Sequence, residues 1–206
     1  MKRCVVVGGA KIENYELIRN ALGPDDFVIY CDGGLNHKES LGAKPDLIVG
    51  DFDSYKGELT DDEIIVLPCR KDDTDTVFAV KEALRRGFED FLLVGVTGQR
   101  LDHTIGNLSI LLMLDSMHKT AKIIDDCSEM EIVSDKRAFV DDSFSYFSLL
   151  NISGTAKGIT IKNAEYELEN GQITCEYQYG ISNEVLKGKT AEISLSEGRL
   201  LLIKVY

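Results

Sequence analysis

Leu47-Ile48-Val49-Gly50-Asp51-Phe52-Asp53-Ser54 joins a short apolar run to a turn that carries two carboxylates. The run has no polar alternation, so it reads as a strand buried on both faces with a turn leaving its carboxyl end. The same unit recurs about twenty positions later, where the apolar residues 64–67 lead to Lys71-Asp72-Asp73-Thr74-Asp75. Two segments thus carry five carboxylates. Carboxylates repel one another, and a fold that gathers several commonly holds them on a cation. Hard oxygen ligands favour Mg²⁺, Mn²⁺ or Ca²⁺, and Mg²⁺ on one or two carboxylates takes further ligands from substrate phosphates. The acids therefore point to phosphate chemistry.

Working outward, residues 4–7, 27–31, 47–49, 64–67, 91–96 and 121–124 are all short apolar runs of this kind. Helical patterns separate several of them. Residues 76–86 place Val77, Val80, Ala83 and Leu84 on one face and close on Arg85-Arg86-Gly87, with Thr74 or Asp72 available as a cap. Residues 105–117 are apolar nearly all round, which predicts a deeply buried helix. Alternation of strands and helices predicts an α/β domain over residues 1–130, with a mostly parallel sheet flanked by helices.

Past residue 130 the helical period fades. Residues 144–150, 159–161, 173–177, 191–195 and 200–205 read as strands, punctuated by Gly154, Gly158, Gly171, Gly180, Gly188 and Gly198. Short strands at this spacing predict an antiparallel β-sandwich over residues 131–206.

Ligands of open α/β sheets bind beyond the carboxyl ends of the strands. Here those ends carry Gly8-Gly9-Ala10, Asp32-Gly33-Gly34, the Asp51 and Asp72 turns, and Thr97-Gly98-Gln99-Arg100-Leu101-Asp102-His103. A parallel sheet would bring all five to one rim. Gly8-Gly9 fits a tight turn or a close backbone approach to phosphate. Asp32 fits a simple turn or a ribose contact. Arg100 can grip phosphate oxygens in a bidentate contact or pair with a neighbouring acid. Asn107 follows His103 by one helical turn, while His37 and His118 lie on polar segments and are expected to be solvated. The Asp51 turn is no calcium loop, because Tyr55 and Lys56 occupy the required ligand and glycine positions. Gly188-Lys189-Thr190 is no P-loop, because Asn183 stands where the first glycine must be.

The bulk properties narrow the partners. With 206 residues and 44% hydrophobic content the chain can build its cores without staples. A net charge of −12 argues against a nucleic-acid backbone but not against a nucleotide neutralised by Mg²⁺. Of the five cysteines, all but Cys69 lie in or beside apolar runs. The odd count without a C-x-x-C pair predicts buried free thiols in a reducing compartment. Lys2-Arg3 precedes too short an apolar run for a signal core, and no stretch approaches membrane-span length, so the expected location is the cytoplasm.

Taken together, Gly8-Gly9-Ala10, Asp32-Gly33-Gly34, Gly50-Asp51-Phe52-Asp53-Ser54, Asp72-x-Thr74-Asp75 and Gly98-x-Arg100-x-Asp102-His103 with Asn107 resemble the thiamin pyrophosphokinase family. Gly158 through Tyr166-x-Leu168, and Gly180-Ile181-Ser182-Asn183-Glu184, resemble that family's thiamin-side motif. The chain departs from the pattern at Gln99, where bacterial members often carry a second glycine, and in having no Trp. The resemblance implies a homodimer with active sites shared between subunits, and a reaction in which ATP and thiamin give thiamin diphosphate and AMP. It implies that Asp51, Asp53 and Asp72 hold one or two Mg²⁺ ions, that Asp75 completes the shell or takes the hydroxyl proton, and that Arg100 neutralises phosphate. Gly9, Asp32, Gly33, Gly98, Asp102, His103 and Asn107 would serve the nucleotide, and Ser182 and Asn183 the thiamin pyrimidine. The acids alone also fit another Mg²⁺-dependent phosphotransferase or phosphohydrolase, or a nucleotide-binding module without turnover.

Overall fold

A computed structural model describes residues 2–52, 63–68 and 72–206, which divide into two compact units, residues 1–126 and 127–206. Unit 1 contains strands β1 (Cys4–Val7), β2 (Phe27–Cys31), β3 (Leu47–Gly50), β4 (Ile64–Val66), β5 (Asp90–Val94) and β6 (Thr120–Ile124). They lie side by side in the order β6-β5-β1-β2-β3-β4, every neighbour parallel. The chain steps outward from β1 to β4, then returns to β5 on the other side of β1. That reversal creates a crevice at the carboxyl ends of β1 and β5.

Helices α1 (Tyr15–Ala21), α2 (Lys38–Leu41), α3 (Asp75–Arg85) and α4 (Leu101–Ser116) cover the sheet. Alternate side chains of each strand face opposite sides. Val5, Val7, Val28, Tyr30, Ile48, Leu92 and Val94 pack with Ile18 and Leu41 from α1 and α2. On the far side α3 lies on β1, β2 and β3, and α4 on β6. A continuous apolar strand is what burial on both faces requires.

Two expectations change. α4 is not buried all round. It buries Asn107, Ile110, Leu111 and Leu114, while Leu101 and Ile105 are 70% and 59% exposed. An apolar composition cannot show which side of a helix faces the sheet. The second change concerns the thiols. Cys4 and Cys31 are buried, but Cys127 and Cys175 are exposed, because they sit in the turns just before β7 and just after β11 (both below) rather than in strands; Cys69 lies outside the described residues.

Unit 2 is a sandwich of two antiparallel sheets. β7 (Ser128–Val133), β9 (Tyr146–Leu150), β12 (Gly180–Asn183) and β14 (Leu200–Val205) form one, in the order β12-β9-β14-β7. β8 (Ala138–Asp141), β10 (Thr155–Lys162), β11 (Leu168–Thr174) and β13 (Thr190–Ser194) form the other, in the order β11-β10-β13-β8. Inward residues of both sheets share one core, with Phe147, Leu149, Leu200 and Leu202 facing Ile159, Ile161, Ile173 and Ile193. The strand expected at 173–177 is shifted: the ladder ends at Thr174, and a turn closes with the Tyr177 amide donating to the Thr174 carbonyl at 3.2 Å.

Candidate active site

A cavity of about 350 Å³ opens at the carboxyl rim of unit 1. It lies where the strand order reverses, between Gly8-Gly9-Ala10 after β1 and Gly95-Val96 after β5. Close approach of these two turns requires glycine. A Cβ on Gly8 would stand 2.6 Å from the Gly95 carbonyl oxygen, and one on Gly34 would stand 2.2 Å from that of Val7. The amides of Gly8 and Ala10 donate to the carbonyls of Val94 and Gly95 at 2.9 and 2.8 Å, which fixes the β1 turn against β5.

The opposite wall comes from the start of α3. Thr74 caps this helix, its hydroxyl accepting from the Val77 amide at 3.3 Å. Thr74, Asp75 and Thr76 all line the cavity, so it faces a helix N-terminus, whose dipole and amides favour anions. The third wall is the turn into α4, with Gly98, Gln99, Arg100, His103 and Asn107. Asn107 is buried, and its amide nitrogen donates to the Val96 carbonyl at 2.7 Å, tying α4 to the end of β5. Arg100 is exposed and pairs with Asp102 at 2.7 Å, an interaction that raises the guanidinium and lowers the carboxyl from their ordinary values.

Carboxylates from three separate segments converge beside this cavity. One oxygen each from Asp32, Asp51 and Asp75 lies within 4.8 Å of the others. Asp32 follows β2, Asp51 follows β3 and Asp75 opens α3. Gly50 permits the approach: a Cβ there would meet that of Asp32 at 2.9 Å. At such separations each pair of charges repels by on the order of 3 kcal/mol at an effective dielectric of about 20. Asp32 Oδ1 is buried and has no hydrogen-bond partner among the described residues. A buried, unmatched carboxylate oxygen beside two more carboxylates is the donor set of a hard divalent cation.

The residues singled out in the sequence thus fall into groups. Gly9, Asp32, Gly33, Gly98 and Arg100 line the cavity, as do His103 and Asn107. Asp102 is held by Arg100 instead. Of the expected metal ligands, Asp51 is in the cluster, Asp72 is exposed and outside it, and Asp53 lies outside the described residues. Asp32 joins the cluster, a role its sequence position gave no sign of, because the contact runs across two strands through Gly50. Asp73 pairs with Lys81 at 2.7 Å.

In unit 2, Ser182 is exposed, with φ of 58°, and its amide donates to Ser148 Oγ at 3.0 Å. Asn183 is buried, and its side chain is spent on backbone. Oδ1 accepts from the amides of Tyr166 and Glu184 at 3.0 and 2.9 Å, and Nδ2 donates to the Tyr166 carbonyl at 2.8 Å. It fastens the Tyr166 loop rather than presenting its amide to a ligand.

Two further groups at the rim were misjudged or missed. His37 is buried, not solvated. Its Nδ1 accepts from the Tyr15 hydroxyl at 2.7 Å while Nε2 donates to the Ala10 carbonyl at 2.9 Å, a tautomer assigned because a carbonyl can only accept. Burial lowers its pKa. Cys31 lines the cavity with its thiol against the Asp75 carbonyl at 3.7 Å. Burial, with Asp75 nearby, pushes that thiol well above its ordinary range, so it is a neutral wall and no nucleophile.

The chain matches two family models, the thiamin pyrophosphokinase catalytic domain over residues 18–124 and the thiamin pyrophosphokinase vitamin B1 binding domain over residues 130–200. It is 26% identical to the thiamine pyrophosphokinase of Bacillus subtilis, the alignment covering 97% of this chain and 96% of that protein. Among solved structures, that of a thiamine pyrophosphokinase from Bacillus subtilis superposes with a TM-score of 0.88 at 23% identity, covering 99% of both chains. One from Geobacillus thermodenitrificans gives 0.84 at 27% identity, covering 100% of this chain and 98% of the other.

Proposed function

This chain belongs to the thiamin pyrophosphokinase family, and from that premise we propose how its rim performs the transfer of a diphosphoryl group from ATP to the hydroxyl of thiamin, giving thiamin diphosphate and AMP. The observation that carries the proposal is the convergence of Asp32, Asp51 and Asp75 beside a cavity at the strand switch point. These three side chains are the set we propose to hold Mg²⁺, one or two ions; Asp53 follows Asp51 by two residues and belongs to the same proposal. Bound there, Mg²⁺ would neutralise the triphosphate and withdraw charge from the phosphorus under attack.

The remaining residues bind and orient. The Gly9 amide, between two amides tied to the end of β5, and the N-terminus of α3 offer backbone donors to phosphate oxygens. Arg100 is exposed and, among the described residues, pairs only across its own turn, so it can exchange Asp102 for phosphate at small cost. His103 and Asn107 flank the nucleotide. The thiamin oxygen then attacks the β-phosphorus as the bond from that atom to the α-phosphate oxygen breaks. The hydroxyl proton passes to solvent water, and AMP departs with the bonding pair. Fixed walls supply the alignment such an in-line exchange needs.

We assign the thiamin side to unit 2 around Ser182, with Asn183 fixing the neighbouring Tyr166 loop. A homodimer with shared sites is part of the same proposal. The exposure of Tyr166, Tyr177 and Ile181, at 70%, 69% and 57%, supports it as surface awaiting cover. We place the reaction in the cytoplasm, where ATP and reduced thiols are maintained. No helix among the described residues is long and apolar enough to cross a membrane.

Incubation with ATP, Mg²⁺ and thiamin, followed by resolution of the nucleotides, tests the reading. AMP is expected to accumulate one-for-one with thiamin diphosphate. Asp51→Asn is expected to lower the rate by about a hundredfold or more while the protein stays folded. ADP as the product, or phosphate release that needs no thiamin, would contradict it.

A further inference from the structure

The loop between β1 and α1, residues 8–14, lines the cavity through Gly8, Gly9 and Ala10, a stretch with almost no side chain of its own to hold it, although Ile12 further on is buried in the core. It is fastened from outside. At the near end His37, which follows β2, donates from Nε2 to the Ala10 carbonyl at 2.9 Å. Tyr15, the first residue of α1, donates its hydroxyl to His37 Nδ1 at 2.7 Å and so fixes the tautomer that makes the first bond possible. At the far end the Asp126 carboxylate accepts from the amides of Glu13 and Asn14 at 2.8 to 3.0 Å. His37 is only 7% exposed and belongs neither to the carboxylate cluster nor to the residues that line the cavity, which it reaches through Ala10 alone. A buried imidazole with both nitrogens engaged, one of them on the carbonyl of a cavity residue, has a geometric task.

We propose that His37, oriented by Tyr15, is a positioning residue that sets the Gly8-Gly9-Ala10 backbone against the phosphates of the nucleotide. Without its bond to Ala10 the loop keeps its strand ties through Gly8 and Ala10 but loses the restraint on the Ala10 peptide itself. The Gly9 amide, the donor this turn has left for a phosphate, then samples several positions, and nucleotide affinity falls. Thiamin, bound through unit 2, is not involved.

The inference rests on reading this cavity as the nucleotide site, so the test begins with wild-type protein and α,β-methylene-ATP, which cannot be cleaved at the reacting bond. Titration with Mg²⁺ present should show binding. His37→Ala is expected to weaken that binding, and to raise the KM for ATP, by about fivefold or more. Its kcat and its KM for thiamin should change by less than about twofold. His37→Gln can still donate to the Ala10 carbonyl and should recover most of the affinity. Tyr15→Phe should show a smaller loss that adds nothing in combination with His37→Ala, since it acts through the same ring. If His37→Ala does not fold, Tyr15→Phe and His37→Gln carry the comparison. Unchanged nucleotide affinity in a folded variant, a His37→Gln variant no better than His37→Ala, or equal losses for ATP and thiamin would each overturn the inference. Failure of the wild type to bind the analogue would instead remove the nucleotide reading beneath it.

Discussion

Three of the seven non-glycine residues with left-handed backbone among the described residues stand at the strand ends that build the site. Asp32, Phe52 and Gln99 have φ of 41°, 60° and 43°, a region that costs a residue with a Cβ about 1–2 kcal/mol. All three stand in the turns after β2, β3 and β5, and Asp32 and Gln99 line the cavity. Gln99 also stands where the family resemblance leads one to expect glycine. Gln99→Gly should remove the steric cost and give part of it back as unfolded-chain entropy. The expected outcome is a gain of up to about 1 kcal/mol in denaturant unfolding, with little change in turnover; a loss of stability would show that the Gln99 side chain supplies contacts outweighing its strain. Single residues were unevenly readable in the sequence. Asp51 and Arg100 announced themselves as charge on glycine turns. The place of Asp32 in the cluster and the burial of His37 did not, because both depend on atoms brought near from other strands.

Strands of unit 1 were readable because burial on both faces imposes an unbroken apolar run, and the structure keeps each within a few residues of its expected bounds. β7 was missed for the opposite reason. Its Glu129 and Glu131 alternate with apolar residues and look like loop, but Lys204 of β14 lies against them, with nitrogen to oxygen distances of 3.7 and 2.6 Å. Pairing across strands is invisible along one of them. β12 is short and irregular, and α1 has only seven residues, too few for a period to show. α3 was readable through its cap and its basic end. Glu82 there is buried and holds Arg85 at 2.7 Å and Arg86 at 2.8 Å, which lowers its pKa to about 2. A carboxyl depressed on folding stabilises fully above its unfolded value, near 4.3, and stops doing so as pH falls through that value towards 2. Thermal melts of the wild type should therefore lose stability across this acid window. Glu82→Gln should cost roughly 1–3 kcal/mol at neutral pH and show a shallower acid limb. Parallel curves for the two proteins would exclude the pairing.

The two units correspond to the two matched family models, a catalytic stretch ending at residue 124 and a vitamin B1 binding stretch beginning at residue 130. The change in texture near residue 130 was visible because parallel α/β layers and antiparallel sandwiches obey different hydrophobic periods. An acidic protein suits a cationic acceptor such as thiamin, and under the proposed reading a local cation offsets its repulsion of an anionic donor. Everything then turns on whether carboxylates from two strand ends and the start of α3 share a divalent ion. Mn²⁺ stands in for Mg²⁺ and is visible by electron paramagnetic resonance. Titrating Mn²⁺ into wild type and into Asp32→Asn and Asp75→Asn, with α,β-methylene-ATP bound, measures that sharing without turnover. The account predicts a wild-type site whose affinity falls about tenfold or more in each variant while the fold persists; equal Mn²⁺ affinity in all three proteins would contradict it.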